Sequence, residues 1–327
     1  MGKPISKISG NESRKYLVMT IKDFLELIRV RQWVKNLFLV IPTFFAGTIL
    51  SIDIIKTLTL GILSFSFVAS GIYILNDFKD READRIHPKK KSRPLASGAI
   101  SPTSGLTISG ILTSIGLGIA ALLNENFLWF ILLYLIINIA YTSGLKNISI
   151  LDLLLVSIGF IIRIYAGGVL TNVTISHWLA IMVFLLALFL VVAKRKDDLI
   201  VQESIGGQVR KASAYYNTEF VNSVITLLSA TILVAYMMYT LSEEVTQRLG
   251  SEYLFTTTIF VVAGILRYLQ IIFVEKRSGS PTEIFLTDKF IVLTILGWII
   301  SFYFLVDYQL LFSYLLLTHE GNCLLRL

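Results

Sequence analysis

Cysteine and histidine are almost missing from this chain: 327 residues include one Cys and three His. With Cys323 alone, a disulfide within the chain and a cysteine-rich metal site are both excluded. His87, His177 and His319 are dispersed, so no His/Cys cage and no nucleophile triad can be read from them. Charge is scarce as well. Only 16% of residues are charged against 55% hydrophobic, and a mean hydropathy of +0.74 excludes an ordinary soluble domain. Acidic residues number 22 against 29 Lys and Arg, for a net charge of +7. These cations flank apolar runs, which fits phosphate substrates or anionic lipid; nucleic acid is not an expected partner. No Pro/Gly/Ser-rich linker, compositional break or convincing repeat divides the chain. Residues 1–22 are polar and mixed, without the basic start, apolar centre and cleavage site of a signal peptide, so membrane insertion is expected to use internal spans.

What the chain has is apolar length. Nine runs approach or reach the span of about 30 Å of hydrocarbon: roughly 37–52, 57–76, 104–123, 127–141, 151–171, 178–193, 221–241, 254–273 and 290–306. The short fourth run and an apolar coda at 310–317 leave eight or ten as alternatives. The expected fold class is all-α, a polytopic membrane helical bundle of about nine transmembrane helices. Residues 1–36 would form a cytoplasmic segment with an interfacial helix, 37–306 a single catalytic bundle, and 307–327 a tail. The regions before span one and after spans two, four, six and eight hold 24 of the 29 Lys and Arg, and the opposite side only Lys56, Arg248 and Arg326. The positive-inside rule therefore places the N-terminus and these loops in the cytoplasm, in a multi-pass cell-membrane protein.

Acid and base meet at the end of the second run, from Asn76 to Arg85. At about 100° per residue, Asp77, Asp80 and Asp84 share one face of a continuing helix. Such an oxygen-rich face suits Mg²⁺, which takes one or two carboxylates and leaves its other positions to water and substrate phosphates. The run from His87 to Pro94, with Lys89 and Arg93, follows immediately and supplies cations for phosphate. The pairing points to diphosphate chemistry.

Further candidates are spread along the chain. Arg29 to Asn36 sets cations and Trp33 at a membrane boundary, either as an interfacial anchor or, through Lys35, reaching inward to a phosphate. Tyr141 and Lys146 belong to a tight turn between spans four and five. In span five, Asp152, Gly159, Arg163 and Gly167 follow helical spacing and predict a small-residue face turned into the bundle. Arg163 is then a functional candidate or half of a structural ion pair. Arg267 is a functional candidate or a snorkelling residue. Lys194 and Arg195 adjoin a membrane exit beside Asp197 and Asp198, without the spacing of a second complete metal site.

The Asn-Asp-x-x-Asp-x-x-x-Asp pattern from Asn76 to Asp84 resembles the UbiA superfamily of intramembrane prenyltransferases. Arg31 to Asn36, Asp84 to Lys89 with Arg93 and Pro94, and Gly159, Phe160, Arg163 and Ala166 to Gly168 resemble its decaprenyl-phosphate phosphoribosyltransferase branch. The resemblance implies transfer of 5-phosphoribose from phosphoribosyl diphosphate to a polyprenyl phosphate, an early step toward an arabinose donor for cell-wall polysaccharide. It implies Asp77, Asp80 and Asp84 on Mg²⁺ with Asn76 orienting them. Substrate binding would fall to Lys35, Arg85, His87, Lys89, Arg93, Tyr141, Lys146, Arg163, Lys194 and Arg195, with the Lys and Arg residues other than Arg163 on the phosphates. The chain departs from the aromatic prenyltransferases of the superfamily, which carry a second aspartate-rich motif where Lys194 and Arg195 stand. Transfer of a polyprenyl group from its diphosphate to an aromatic or other small acceptor is the alternative. Self-association into a homo-oligomer stays open.

Overall fold

Side-chain caps and glycine stops set the ends of the apolar runs. The computed structural model describes residues 20–49, 51–86, 90–205, 215–275 and 281–324. Its helices are α1 (Ile21–Leu27), α2 (Ile41–Phe45), α3 (Ile52–Ile86), α4 (Pro94–Ser97), α5 (Pro102–Leu123), α6 (Glu125–Ser143), α7 (Leu151–Thr171), α8 (His177–Ile205), α9 (Thr218–Leu241), α10 (Glu243–Leu249), α11 (Thr258–Phe273), α12 (Pro281–Thr287) and α13 (Lys289–Leu324). Thr20 and Asp23 make a capping box on α1, and Ser101, Asn124 and Asn217 accept from early amides of α5, α6 and α9. Gly144 ends α6 at φ +155°, a conformation that favours glycine.

Eight helices of the described residues are long and apolar enough to cross a membrane: α3, α5, α6, α7, α8, α9, the run Leu254–Phe273 that ends in α11, and α13 up to Val306. The protein is a multi-pass membrane protein. α3 and α7 are the most buried of the eight, and α5, α6, α11 and α13 lie outermost. α3 and α5 approach closely at glycines, where Ser109 Oγ donates to the Gly71 carbonyl and Ser64 Oγ to that of Gly116, both at 2.7 Å.

The expected first span, 37–52, is not a helix of membrane length. Val30–Val40 is a 3₁₀ helix, followed by the five-residue α2. At three residues per turn, Trp33, Asn36 and Leu39 share a face, and that face turns inward. Trp33 Nε1 donates to Ser70 Oγ (3.1 Å), Asn36 Nδ2 donates to Ser66 Oγ (2.8 Å), and Leu39 is fully buried. Trp33 is thus pinned to α3 by its indole N–H instead of serving only as an interfacial anchor. Pro42 has no amide hydrogen to continue an α-helix and opens α2 instead. The broken segment still carries the chain from one end of the bundle to the other. Arg29 pairs with Asp77, whereas the chain enters α3 at Ile52, roughly 37 Å away at 1.5 Å per residue.

Candidate active site

α3 continues past the apolar run to Ile86, so the three aspartates stand on its last turns. They divide into two groups. Asp77 and Asp84 are both buried, and both accept from a single nitrogen, Nη1 of Arg93, at 2.9 and 2.7 Å. Arg29 donates to the same Asp77 oxygen and lies 5.1 Å from the centre of the Tyr73 ring, while Lys90 stands 4.0 Å from Asp84. Asp80 is turned about 60° round the helix. It accepts from Lys146 Nζ at 2.6 and 2.8 Å, and Asn76 bridges the pair, donating to Asp80 and accepting from Lys146. The turn after α6 and the start of α4 thereby bring Lys146 and Arg93 to the aspartate helix. Ligand phosphates could take over these cations while a divalent cation takes the carboxylates. Two carboxylates converging on one point, with substrate and water oxygens added, match the donor set of Mg²⁺. Among the described residues, no third acidic or histidine side chain converges with them.

A second group of cations lies deeper. Arg163 is buried in the middle of α7 and has no carboxylate partner among the described residues. Its Nε donates to Asn36 Oδ1 (2.9 Å), Nη1 to the Gly159 carbonyl (2.7 Å) and Nη2 to Tyr134 OH (3.0 Å). The rings of Phe65, Tyr134 and Phe160 lie 4.9, 4.6 and 5.6 Å from the guanidinium carbon, so aromatic faces without formal charge surround the cation. Lys35 likewise has no hydrogen-bond or ion-pair partner among the described residues. Beyond Lys35 the same segment borders an apolar cavity of about 640 Å³, with Leu37, Val40, Phe44, Met182, Gly264 and Trp298 in its wall. In that wall Trp298 Nε1 donates to Tyr236 OH, itself 2.6 Å from Thr257 Oγ1.

Other predicted residues are placed differently. Arg195 is buried and bound to Asp152 through Nε (3.0 Å) and Nη2 (2.9 Å) and to Asp198 through Nη1 (2.9 Å). Tyr216 OH donates to the same Asp152 at 2.7 Å. Arg195 therefore ties α8 to the first turn of α7. Lys194 beside it is exposed, Tyr141 is half-buried, and Arg85 at the surface bonds Glu82 and the Ala96 carbonyl. His87 and Lys89 lie outside the described residues. Arg267 makes a two-pronged contact with Asp288, which caps α13 through the Ile291 amide, and so joins α11 to α13.

A model described as the UbiA prenyltransferase family matches residues 37–200. The chain belongs to the UbiA prenyltransferase family. It is 32% identical over 290 residues to a decaprenyl-phosphate phosphoribosyltransferase of Mycolicibacterium smegmatis, covering 85% of this chain and 91% of that one. A protein of the same name from Corynebacterium glutamicum is 30% identical over 298 residues, with 89% of each covered. The fold resembles a solved UbiA homolog from Archaeoglobus fulgidus bound to GPP and Mg²⁺, at a TM-score of 0.65 and 20% identity, covering 87% of this chain and 99% of that one. Within this UbiA-family bundle, sequence reasoning missed the part played by Arg29. Its backbone is left-handed (φ 52°, ψ 50°), a conformation that costs a non-glycine residue about 1 kcal/mol or more. The signal was faint: one arginine in a basic stretch where Lys35 stood nearer the membrane. Asn36, between Ser66 and Arg163, was noted only as part of a motif.

Proposed function

We propose that the protein transfers the 5-phosphoribosyl group of 5-phosphoribosyl 1-diphosphate to a polyprenyl phosphate of the decaprenyl class, releasing diphosphate at the cytoplasmic face of the cell membrane. The observation that carries this reading is the surplus of cations. Asp77, Asp80 and Asp84 are already matched by Arg29, Arg93 and Lys146, while Lys35 and Arg163 have no carboxylate partner among the described residues. A prenyl diphosphate with a neutral aromatic acceptor needs counter-charge for one diphosphate. A phosphoribosyl donor and a lipid phosphate bring two further anionic groups. The near full-length likeness to the two phosphoribosyltransferases supplies the substrate names.

Asp77 and Asp84 would hold Mg²⁺, with Asp80 joining them once its contact with Lys146 is released; the ion when bound would offset the charge growing on the leaving diphosphate. Arg29, Arg93 and Lys146 exchange their carboxylates for donor phosphates, and Asn76 keeps Asp80 oriented as they do. Arg85, Lys194 and Tyr141 are outer contacts for the remaining phosphate oxygens. The bond from the ribose anomeric carbon to diphosphate breaks with its electron pair on diphosphate, and an oxygen of the lipid phosphate forms the new bond to that carbon. That oxygen is already anionic. No base has to remove a proton, and the residues work by positioning and electrostatics.

The test follows labelled phosphoribose from phosphoribosyl diphosphate into decaprenyl phosphate by the purified protein, with Mg²⁺ and with EDTA. Metal-dependent labelled lipid is expected. A folded sample that makes none, yet prenylates an aromatic acceptor from a prenyl diphosphate, would overturn the reading.

A further inference from the structure

In the proposed transfer the donor carries the diphosphate and the acceptor carries the chain, so their anionic ends need separate sites. We infer that Lys35, backed by Arg163, docks the phosphate of the polyprenyl phosphate acceptor, with the first isoprene units of that acceptor in the adjoining apolar cavity. The aspartate group is then left to the donor. The inference rests on the proposed function only for the identity of that donor.

Three observations converge on it. First, Arg29, Arg93 and Lys146 each face a carboxylate, whereas Lys35 and Arg163 face none among the described residues. A desolvated cation without a counter-ion is unfavourable, and the arrival of an anion removes that penalty. Second, Arg163 is immobilised by three hydrogen bonds inside an aromatic cage, so it supplies field rather than contact. Lys35 has no hydrogen-bond partner among the described residues, which leaves its three N–H donors for a phosphate. Asn36, held between Ser66 and Arg163, fixes the backbone next to it. Third, polarity changes along one segment in the order of the ligand. Lys35 is followed by Leu37, Val40 and Phe44 in the wall of the cavity. The cavity, of about 640 Å³ and almost wholly apolar, suits the first isoprene units of the chain. The rest of a longer chain must run into the bilayer.

The same chemistry would hold the 5-phosphate of the donor, and the experiment separates the two sources. Full-length protein is titrated, by thermal stabilisation, with a four-unit polyprenyl phosphate, the corresponding polyprenol, and ribose 5-phosphate. Wild type, Lys35→Met and Lys35→Arg are compared. The wild type is expected to prefer the phosphorylated lipid to the alcohol by about tenfold or more. Lys35→Met abolishes that preference, Lys35→Arg keeps most of it, and affinity for ribose 5-phosphate changes by less than about twofold in both. Lys35→Met exchanges an unpaired charge for an apolar chain of similar length, so it should fold at least as stably as the wild type. A preference that survives Lys35→Met overturns the inference, and so does a loss confined to ribose 5-phosphate. Should the preference depend on Lys35 while no phosphoribosyl transfer occurs, this inference stands and the proposed donor is wrong.

Discussion

Gly167→Ala should damage activity far more than stability. A Cβ at Gly167 would lie 2.1 Å from the carbonyl oxygen of Leu39 and 2.8 Å from its carbonyl carbon and Cα. All three atoms are backbone, so no rotamer change relieves the overlap. Restoring contact distance means separating α7 from the 3₁₀ segment by about 1 Å. Overpacking of this kind costs about 1–3 kcal/mol, and replacing a mid-helix glycine by alanine returns nearly 1 kcal/mol. The net loss of stability is therefore modest, about 1 kcal/mol. Lys35 and Asn36 sit four and three residues before Leu39 on the segment that moves, and a misplacement of about 1 Å can cost 10²-fold in rate. The control is Gly118→Ala on α5, where an added Cβ meets nothing within 4 Å; it should keep full turnover and gain up to about 1 kcal/mol. Denaturation curves and kcat/KM for phosphoribosyl transfer are measured on the same preparations. A Gly167→Ala protein with wild-type kcat/KM would refute the claim that close packing at Leu39 positions Lys35.

Asp77→Asn and Asp80→Asn should each lower kcat by about 10²-fold or more in protein that still elutes as a folded species, and full turnover in either removes that carboxylate from the proposed metal site. Asp152→Asn strips the buried Arg195 of its main counter-charge and should cost about 3–5 kcal/mol; the double variant Asp152→Leu, Arg195→Met should recover at least half of that in chemical denaturation, and a double variant no better than the single one contradicts a paired role.

How much of this was legible in the sequence depends on which contacts are local. The aspartate helix was, because helical periodicity does not stop where hydropathy falls, and α3 runs on through Asp84; the separation of Asp80 on Lys146 from Asp77 and Asp84 on Arg93 was not. The cations that meet it were only partly so: Arg93 lies 16 residues from Asp77, but Lys146 lies 66 from Asp80 and reaches it through the tight turn after α6. The first span was misjudged because its buried face repeats every three residues and is partly polar, with Asn36 satisfied by Ser66 and Arg163. A hydropathy scan detects neither property.

The shared face of Asp152 and Arg163 shows the same limit from the other side. Both are buried on α7, as their spacing predicts. Eleven residues separate them, roughly 16 Å along the axis, so a common face does not make them a pair. Asp152, at the first turn, is taken by Arg195 from 43 residues away and by Tyr216 from 64. That leaves Arg163 with carbonyl, amide and phenol oxygens and aromatic faces, none of which carries a formal charge. Spacing could locate both charges but could not say which one would stay uncompensated. The one left over stands without a carboxylate among the described residues, as does Lys35, and this pairing is what the proposed acceptor site rests on.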